Sequence, residues 1–312
     1  MKIGIDIMGG DFAPDANVSG AILANKELPQ DVKIVLLGDE AIVKERVQAL
    51  GGNLDDFEIV HAPEVITMHD HPTRAIPQKP NSTISVGFDL LAQNEIQAFA
   101  STGNTGAMLV GSIYKINSIP GIIRPCITST VPNILGANSL ILDVGSNADC
   151  KPDVLYQFAI LGSLYAQQVY GIKNPKVGLL NIGEEESKGN LLTQSAYKLM
   201  DGSSDFNFAG NIEGRDIFTG KVDVIVCDGF TGNVVLKQAE GMFGLIKKRG
   251  IKDEYFDRFN YENYGGTPIL GVNSNVIIGH GISNDVAVKN MLLHSYDVSK
   301  SNLTQKIKEA FK

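Results

Sequence analysis

The chain has 312 residues, of which 43% are hydrophobic, so it can bury a large core as one α/β unit or as two lobes around a cleft. Its net charge of -8 argues against nucleic acid as the main partner, because binding a phosphate backbone requires clustered Lys and Arg. Three cysteines without C-x-x-C spacing indicate neither a disulfide framework nor a structural zinc site.

The N-terminus enters a strand pattern at once, without the apolar segment of a signal peptide. No apolar run reaches the roughly 18 residues that cross a bilayer. We therefore expect a protein of the reducing cytoplasm that neither follows the signal-peptide route nor spans a membrane.

Strand-like runs alternate with helical patterns along the chain. The predicted strands are 2–8, 32–37, 57–61, 97–100, 127–131, 140–144, 177–180, 222–227 and 276–279. The predicted helices are 17–26, 40–50, 85–94, 106–115, 152–170, 191–201, 233–249 and 284–293, with another at the C-terminus. This alternation predicts a mostly parallel sheet with crossover helices, in which ligands collect beyond the carboxyl ends of the strands.

The organisation we expect is a single catalytic domain over residues 1–312, with two lobes around a cleft as the alternative. Two proline-rich stretches, 72–80 and 119–132, are the best candidates for a lobe boundary or a mobile loop. Residues 243–261 are expected to form a short helical protrusion.

Five predicted strands end in glycine, asparagine and small hydroxyl residues. Glycine lets the main chain approach a ligand with its N–H groups exposed, and a helix that starts just afterwards adds its positive dipole end. The pattern therefore predicts an anion site at one edge of the sheet. The five loops are 8–11, with Gly9, Gly10 and Asp11; 101–106; 145–147; 181–183; and 228–233.

The loop 101–106 lacks the lysine of a Walker A motif and the G-x-G-x-x-G of a dinucleotide fold. It can still form a neutral nest for phosphate, and a simple turn between strand and helix is the alternative. The candidate phosphate-binding residues are Ser101, Gly103, Asn104, Thr105 and Gly106.

Lys188 is the only cation in a loop that begins with three consecutive glutamates, 184–186. A solvated acidic turn is an equally good interpretation of the charge pattern. Between Ser187 and Gly189, however, Lys188 is well placed to neutralise a phosphate or a developing oxyanion. The glutamates would then anchor this lysine or bind a metal.

The loop 228–233, which includes Gly232, leads directly into a helix. Asn233 near the helix start is explained equally well as a cap or as an amide donor to an oxyanion. Asp228 can accept a proton or orient a ligand.

Other reactive residue types give weaker signals. Cys150 is better explained as a packing residue than as a nucleophile, since no partner histidine is identifiable. His69 and His71 lack further ligands at diagnostic spacing, so no metal site is predicted. His280 follows a strand and either faces the cleft or turns the chain.

Six segments together resemble the bacterial phosphate acyltransferases of phospholipid synthesis, which form acyl phosphate from fatty acyl-[acyl carrier protein] and inorganic phosphate. The resemblance covers essentially the whole chain in order. The segments are 6–11, 101–107, 143–150, 179–190, 228–233 and 264–281.

The resemblance implies a homodimeric three-layer α/β/α sandwich similar to phosphotransacetylases and to isocitrate or isopropylmalate dehydrogenases. It implies Lys188 and Asn233 as the active-site pair, with Asp228 and the loop 101–106 around them. The product would pass to a membrane-bound glycerol-3-phosphate acyltransferase. Phosphate can itself be the nucleophile, so no cysteine or serine need be acylated, and no cofactor is expected. The segment 243–261 is shorter than in membrane-associated relatives, which leaves peripheral attachment at the inner face of the membrane open.

Two substrate contacts follow from this interpretation. An acidic carrier protein needs a basic patch, and Lys247, Lys248 and Arg249 form the densest candidate, with a solvated helix end as the alternative. An acyl chain needs an apolar slot, for which residues 158–164 and 234–246 are candidate walls, although such residues more often belong to a core.

Three other functions remain as alternatives. They are a short-chain phosphotransacetylase that uses coenzyme A, a metal- and nicotinamide-dependent dehydrogenase, and a non-catalytic module that binds phosphate or the carrier.

Overall fold

The computed structural model describes all 312 residues, and they divide into two compact units. Unit 1 comprises residues 1–118 and 261–304, and unit 2 comprises residues 119–260 and 305–312. The chain first leaves unit 1 at Ser118, where the second proline-rich stretch begins. The first stretch lies inside unit 1 and contains a helix, Pro72–Gln78, that the sequence analysis missed.

Unit 1 contains a sheet of six strands in the order β3-β2-β1-β4-β11-β10, parallel except for the pair β10 and β11. Its strands are β1 (Lys2–Asp6), β2 (Lys33–Gly38), β3 (Phe57–His61), β4 (Ala98–Ser101), β10 (Gly266–Leu270) and β11 (Asn275–Gly279). Its helices are α1 (Asp15–Glu27), α2 (Glu40–Ala49), α3 (Pro72–Gln78), α4 (Thr83–Ala92), α5 (Thr105–Gly111) and α10 (Asp285–Lys300).

Unit 2 contains a five-stranded sheet in the order β5-β6-β9-β7-β8, parallel except for β5 and β6. Its strands are β5 (Cys126–Pro132), β6 (Asn138–Leu142), β7 (Lys176–Asn181), β8 (Asn207–Glu213) and β9 (Val224–Val226). Its helices are α6 (Pro152–Gln168), α7 (Leu191–Met200), α8 (Gly229–Lys248) and α9 (Glu254–Asp257). The C-terminal helix α11 (Leu303–Ala310) begins in unit 1 and ends in unit 2.

Burial explains why these segments form strands. In β1 and β2 the side chains of Ile3, Ile5 and Leu36 are fully buried, and such continuous apolar runs are typical of parallel strands covered on both faces. The turn 133–137 joins β5 directly to β6, and so short a connection allows only antiparallel pairing. The expected α/β class with a mostly parallel sheet is confirmed.

The segment that follows α8 packs back onto unit 2. The guanidinium of Arg258 donates to the main-chain oxygens of Asn133 (3.0 Å) and Ala137 (2.6 Å) and to Oδ1 of Asn138 (2.9 Å). The ring of Tyr255, on α9, lies 5.4 Å from that of Phe259. The turn between β5 and β6 therefore holds this segment in place.

None of the helices combines the length and the apolar character that crossing a membrane requires.

Candidate active site

In unit 2, three loops follow neighbouring parallel strands and therefore lie at the same edge of the sheet. Residues 143–147 follow β6, residues 227–233 follow β9, and residues 182–190 follow β7. The loops are joined directly, since the N–H of Gly229 donates to the oxygen of Asn147 at 2.8 Å. This is the edge at which ligands bind in open α/β sheets.

Asp143 organises the first of these loops. Its buried carboxylate accepts hydrogen bonds from the main-chain N–H groups of Ile127 (3.0 Å) and Asn147 (2.6 Å), and from the hydroxyl of Ser146 (2.8 Å). A buried carboxylate requires such donors, because an unpaired charge away from water is costly. Asp143 was not among our candidate residues, although an acidic residue placed directly after a buried strand is a signal that could have identified it.

The second loop starts helix α8 in a way that differs from our expectation. Asp228, and not Asn233, is the N-cap: its carboxylate accepts from the N–H of Thr231 (2.8 Å) and from the Thr231 hydroxyl (2.8 Å). Asn233 lies in the second turn, beyond the reach of a cap. The capping explanation for Asn233 is therefore wrong, and a different role is needed for its amide.

The Asn233 side chain is oriented by the loop that follows β6. Its Nδ2 donates to the main-chain oxygen of Val144 at 3.2 Å. An amide nitrogen carries two hydrogens, so the second remains available to an acceptor. Gly232 makes this close approach possible, because a Cβ at this position would collide with the main-chain oxygen of Asp143.

The third loop carries Lys188 on an exposed turn. Its ammonium makes no ion pair, whereas Glu184 is held by Lys221 (2.5 Å), which also bonds Asp216 (3.2 Å). The first glutamate therefore anchors Lys221 and not Lys188 as we had suggested. Gly189 next to Lys188 has a φ of +91°, a conformation that favours glycine.

A pocket of about 410 Å³ brings the second and third loops together. Asp228 and Thr231 line one side of it, and Gly189 and Asn190 line the other. Leu155, Leu180, Ile182 and Cys227 add an apolar surface. Neither Lys188 nor Asn233 lines this pocket, although each is within two residues of one that does. Thr231 and Asn190 were not among the predicted site residues, because only the fold brings them to this pocket.

In unit 1, a buried carboxylate supports the loop after β4. Asp6 accepts from the Ser101 hydroxyl at 2.7 Å, and burial raises the pKa of this carboxyl. The Ser101 oxygen in turn accepts from the N–H of Gly103 at 2.9 Å. A Cβ on Gly9 would lie 2.8 Å from the Gly103 nitrogen, so the two loops are in close contact.

The remaining residues of this loop divide between internal and open positions. Asn104 caps α5 by accepting from the N–H of Ala107 (3.0 Å), and its amide donates to the oxygen of Thr67 (2.9 Å). Thr105 is exposed and Gly106 is half-buried. Ser101, Gly103 and Asn104 are thus engaged inside the loop, and Gly106 packs against Pro72, which leaves Thr105 as the side chain open to a ligand.

The loop after β11 joins the same edge of unit 1. The N–H of Asp11 donates to the oxygen of Gly281 at 2.7 Å, and a Cβ on Gly10 would lie 2.8 Å from the Thr102 hydroxyl. The half-buried His280 ring lies 5.2 Å from that of Tyr261. The structure therefore brings together the unit 1 candidates Gly9, Gly10, Asp11, His280 and the loop 101–106.

The other predicted contacts are placed as follows. Lys247, Lys248 and Arg249 are exposed at the C-terminal end of α8. Of the two candidate walls for an acyl chain, residues 158–164 belong to the core, since Phe158 and Leu161 are fully buried. In the other wall, residues 234–246, only one face of α8 lines an open groove, and Leu245 lies outside that face.

Cys150 does not have the properties of a nucleophile. Burial, with Asp143 and Asp228 nearby, raises the pKa of its thiol to about 12, so the thiolate is scarce at neutral pH. Asp70, between His69 and His71, pairs with Lys79 at 2.6 Å. No group of three or more His, Cys, Asp or Glu side chains is arranged to hold a metal ion.

Comparison with solved structures defines the class of fold. The chain is similar to the phosphotransacetylase EutD from Staphylococcus aureus (TM-score 0.64, 16% identity, 96% of this chain and 94% of that one). It is also similar to a branched-chain phosphotransacylase from Enterococcus faecalis (TM-score 0.66, 13% identity, 96% of this chain and 99% of that one). The chain thus has the fold of the phosphotransacylases.

Sequence comparison gives the family. Residues 1–306 match the family described as "Fatty acid synthesis protein". The chain is 42% identical to the phosphate acyltransferase of Dictyoglomus turgidum (99% of this chain, 97% of the relative) and 43% identical to that of Syntrophomonas wolfei (98% and 97%). The chain belongs to this family of phosphate acyltransferases.

Proposed function

We propose that this chain transfers a long-chain fatty acyl group from acyl-[acyl carrier protein] to inorganic phosphate, giving acyl phosphate for phospholipid synthesis. The observation that carries the proposal is the pocket in unit 2 between residues 227–233 and residues 182–190. The chain's membership of the phosphate acyltransferase family supports it. The proposed setting is a cytoplasmic homodimer whose product passes to a membrane-bound glycerol-3-phosphate acyltransferase.

The proposed reaction is a direct displacement. A phosphate oxygen attacks the thioester carbonyl carbon, the tetrahedral oxyanion collapses, and the carrier leaves as a thiolate that takes up a proton. We assign the second amide hydrogen of Asn233 to the oxyanion and the Lys188 ammonium to the phosphate or the oxyanion. Asp228 orients the reacting groups or accepts a proton.

The loops of unit 1 are proposed to bind phosphate. Their candidates are Gly9, Gly10, Asp11, Thr105, Gly106 and His280, while Ser101, Gly103 and Asn104 support the loop from inside. Gly232 supports the unit 2 site by allowing α8 to approach Asp143.

A thioester assay tests the function. Purified protein should release free carrier thiol from palmitoyl-carrier only when phosphate is present, with an acyl product that hydroxylamine traps. Faster turnover of acetyl-coenzyme A would instead favour a short-chain phosphotransacetylase, and binding without thiol release would favour a non-catalytic module.

Carrier docking is proposed at Lys247, Lys248 and Arg249. The helix rises about 20 Å between Asn233 and this cluster, so the carrier's flexible prosthetic arm would have to span that distance. Replacing Lys247 and Lys248 by glutamate should weaken carrier binding most strongly at low salt. Unchanged affinity at low salt would eliminate this patch.

A further inference from the structure

A groove of about 500 Å³ runs along helix α8 in unit 2, apart from the pocket described above. Val235, Ala239, Met242 and Ile246 line it at the three- and four-residue spacing of one helix face. Phe218 and Phe259, whose rings lie 5.4 Å apart, are among the residues of the opposite wall. The volume is within the range of about 300–1,000 Å³ that is typical of small-molecule sites.

The chemistry of the lining selects an apolar ligand. None of the lining residues carries a charge, and only Gln238 and Tyr255 have polar side chains. The Tyr255 hydroxyl donates to the main-chain oxygen of Pro132 at 3.4 Å, so it is turned to the protein. The groove is nevertheless open to solvent, since Val234 is 53% and Met242 49% exposed. Such an exposed apolar concavity is unfavourable in water unless something fills it.

The groove follows the same face of α8 as the pocket of the proposed reaction site, because Thr231, which lines that pocket, lies three and four residues before Val234 and Val235. It begins at Val234, one residue beyond Asn233, and extends to Ile246, which is about 18 Å along the helix. That length suits an extended long-chain acyl group. A thioester held in the pocket beside Thr231 therefore has an apolar channel along the same face of α8.

We propose that this groove binds the acyl chain of the substrate, with the carbonyl end at Val234 and the methyl end toward Ile246. The inference rests on the proposed acyl transfer. In this arrangement Ala239 and Met242, midway along the groove, determine which chain lengths are accepted. A volume of about 500 Å³ holds a single flexible chain, whereas a helix about 18 Å long and about 10 Å in diameter needs more than twice that volume.

The test is a chain-length profile of the full-length protein. Ala239→Phe fills the middle of the groove. It should lower kcat/KM for palmitoyl-carrier at least tenfold and leave kcat/KM for hexanoyl-carrier unchanged. The reason is that the contacts of a few methylene groups in an apolar site change kcat/KM by tenfold or more. Leu245→Phe, on the same helix but outside the lining, is the matched control and should keep the wild-type profile. If Ala239→Phe does not fold, Met242→Ala provides a second test. This change removes contacts with the wall without adding bulk, and it should lower kcat/KM only for the longer acyl chains.

The outcomes separate the inference from the function on which it rests. A wild-type protein that forms no acyl phosphate from any donor contradicts the proposed function. An active wild type whose folded groove variants all keep its chain-length profile overturns the groove assignment alone. If the profile is unchanged, two further measurements on the groove variants identify another occupant. Loss of flotation with phosphatidylglycerol vesicles would assign the groove to a membrane. Loss of a dimer in sedimentation would assign it to a second copy of the chain.

Discussion

The side-chain nitrogen of Asn233 lies 3.2 Å from the main-chain oxygen of Val144 and donates to it. Because a carbonyl oxygen accepts only from a donor, the amide nitrogen of Asn233 and not its oxygen faces Val144. The direction of the remaining N–H is therefore fixed. Since the loop bearing Val144 is held by the Asp143 carboxylate, the donor is oriented before any substrate arrives. Such preorganisation is what makes an oxyanion donor effective.

Replacing Asn233 by alanine should therefore reduce kcat by about 10²–10³-fold, the usual effect of losing one oxyanion donor. The fold should be retained, because Asn233 is not the helix cap. Steady-state acyl phosphate formation and a thermal melt measure the two effects. Asn207→Ala, the same change on β8, should alter neither. Near-native turnover of Asn233→Ala would remove the residue from the mechanism.

Lys188→Ala should lower acyl phosphate formation by about a hundredfold, because its ammonium is exposed, makes no ion pair and is thus available to an anion. Lys188→Arg should restore part of the activity, since the charge returns with a different shape. Lys198→Ala removes the same charge from the exposed surface of α7 and serves as the control. Equal activity of the two alanine variants would assign Lys188 to the solvated surface.

Asp228→Asn separates charge from capping. Asparagine caps helices about as well as aspartate, so the bond to the Thr231 N–H and the melting temperature should both be retained. If Asp228 accepts a proton or orients the reactants by its charge, turnover should still fall. A variant with unchanged turnover would show that Asp228 only starts α8.

Two glycines of α8 should respond in opposite ways to alanine. Gly232→Ala places a methyl group against the Asp143 carbonyl and should destabilise the fold by about 1–3 kcal/mol. Gly241 has open space around it, so Gly241→Ala should stabilise by about 0.5–1 kcal/mol. Urea unfolding measures both free energies. Similar values for the two variants would contradict the close contact at Gly232.

His294 on α10 should make stability depend on pH. Desolvation lowers the pKa of its imidazole to about 4 in the folded state, whereas the unfolded value is near 6.5. The unfolded chain thus binds a proton that the folded chain does not, and the free energy of unfolding should fall by about 2–3 kcal/mol as pH drops from 6.5 to 4. His294→Gln should lack this contribution, so the wild-type and variant curves should differ in slope only within that window.

Apolar runs predicted nine of the eleven strands, because strands buried on both faces are continuously hydrophobic. The missed strand β8 contains Gly210 with a φ of +89° and several polar residues, and the missed β10 contains Pro268. Pairing with neighbours, rather than local preference, makes these two segments extended.

The candidate site was predictable in its parts but not in its connections. Glycine loops and charge pattern identified Lys188, Asp228 and Asn233. Which of them caps α8, and which glutamate pairs with Lys221, depends on contacts between segments far apart in the sequence. Sequence spacing carries no such information.

The three hydrogen bonds of Arg258 have a mechanical consequence. They attach the segment carrying Tyr255 and Phe259 to the β5–β6 turn, so one wall of the groove is fixed to the sheet while the other is the rigid rod of α8. A groove held between two fixed walls keeps a constant width. It should therefore select ligands by their size and not adapt its shape to each one.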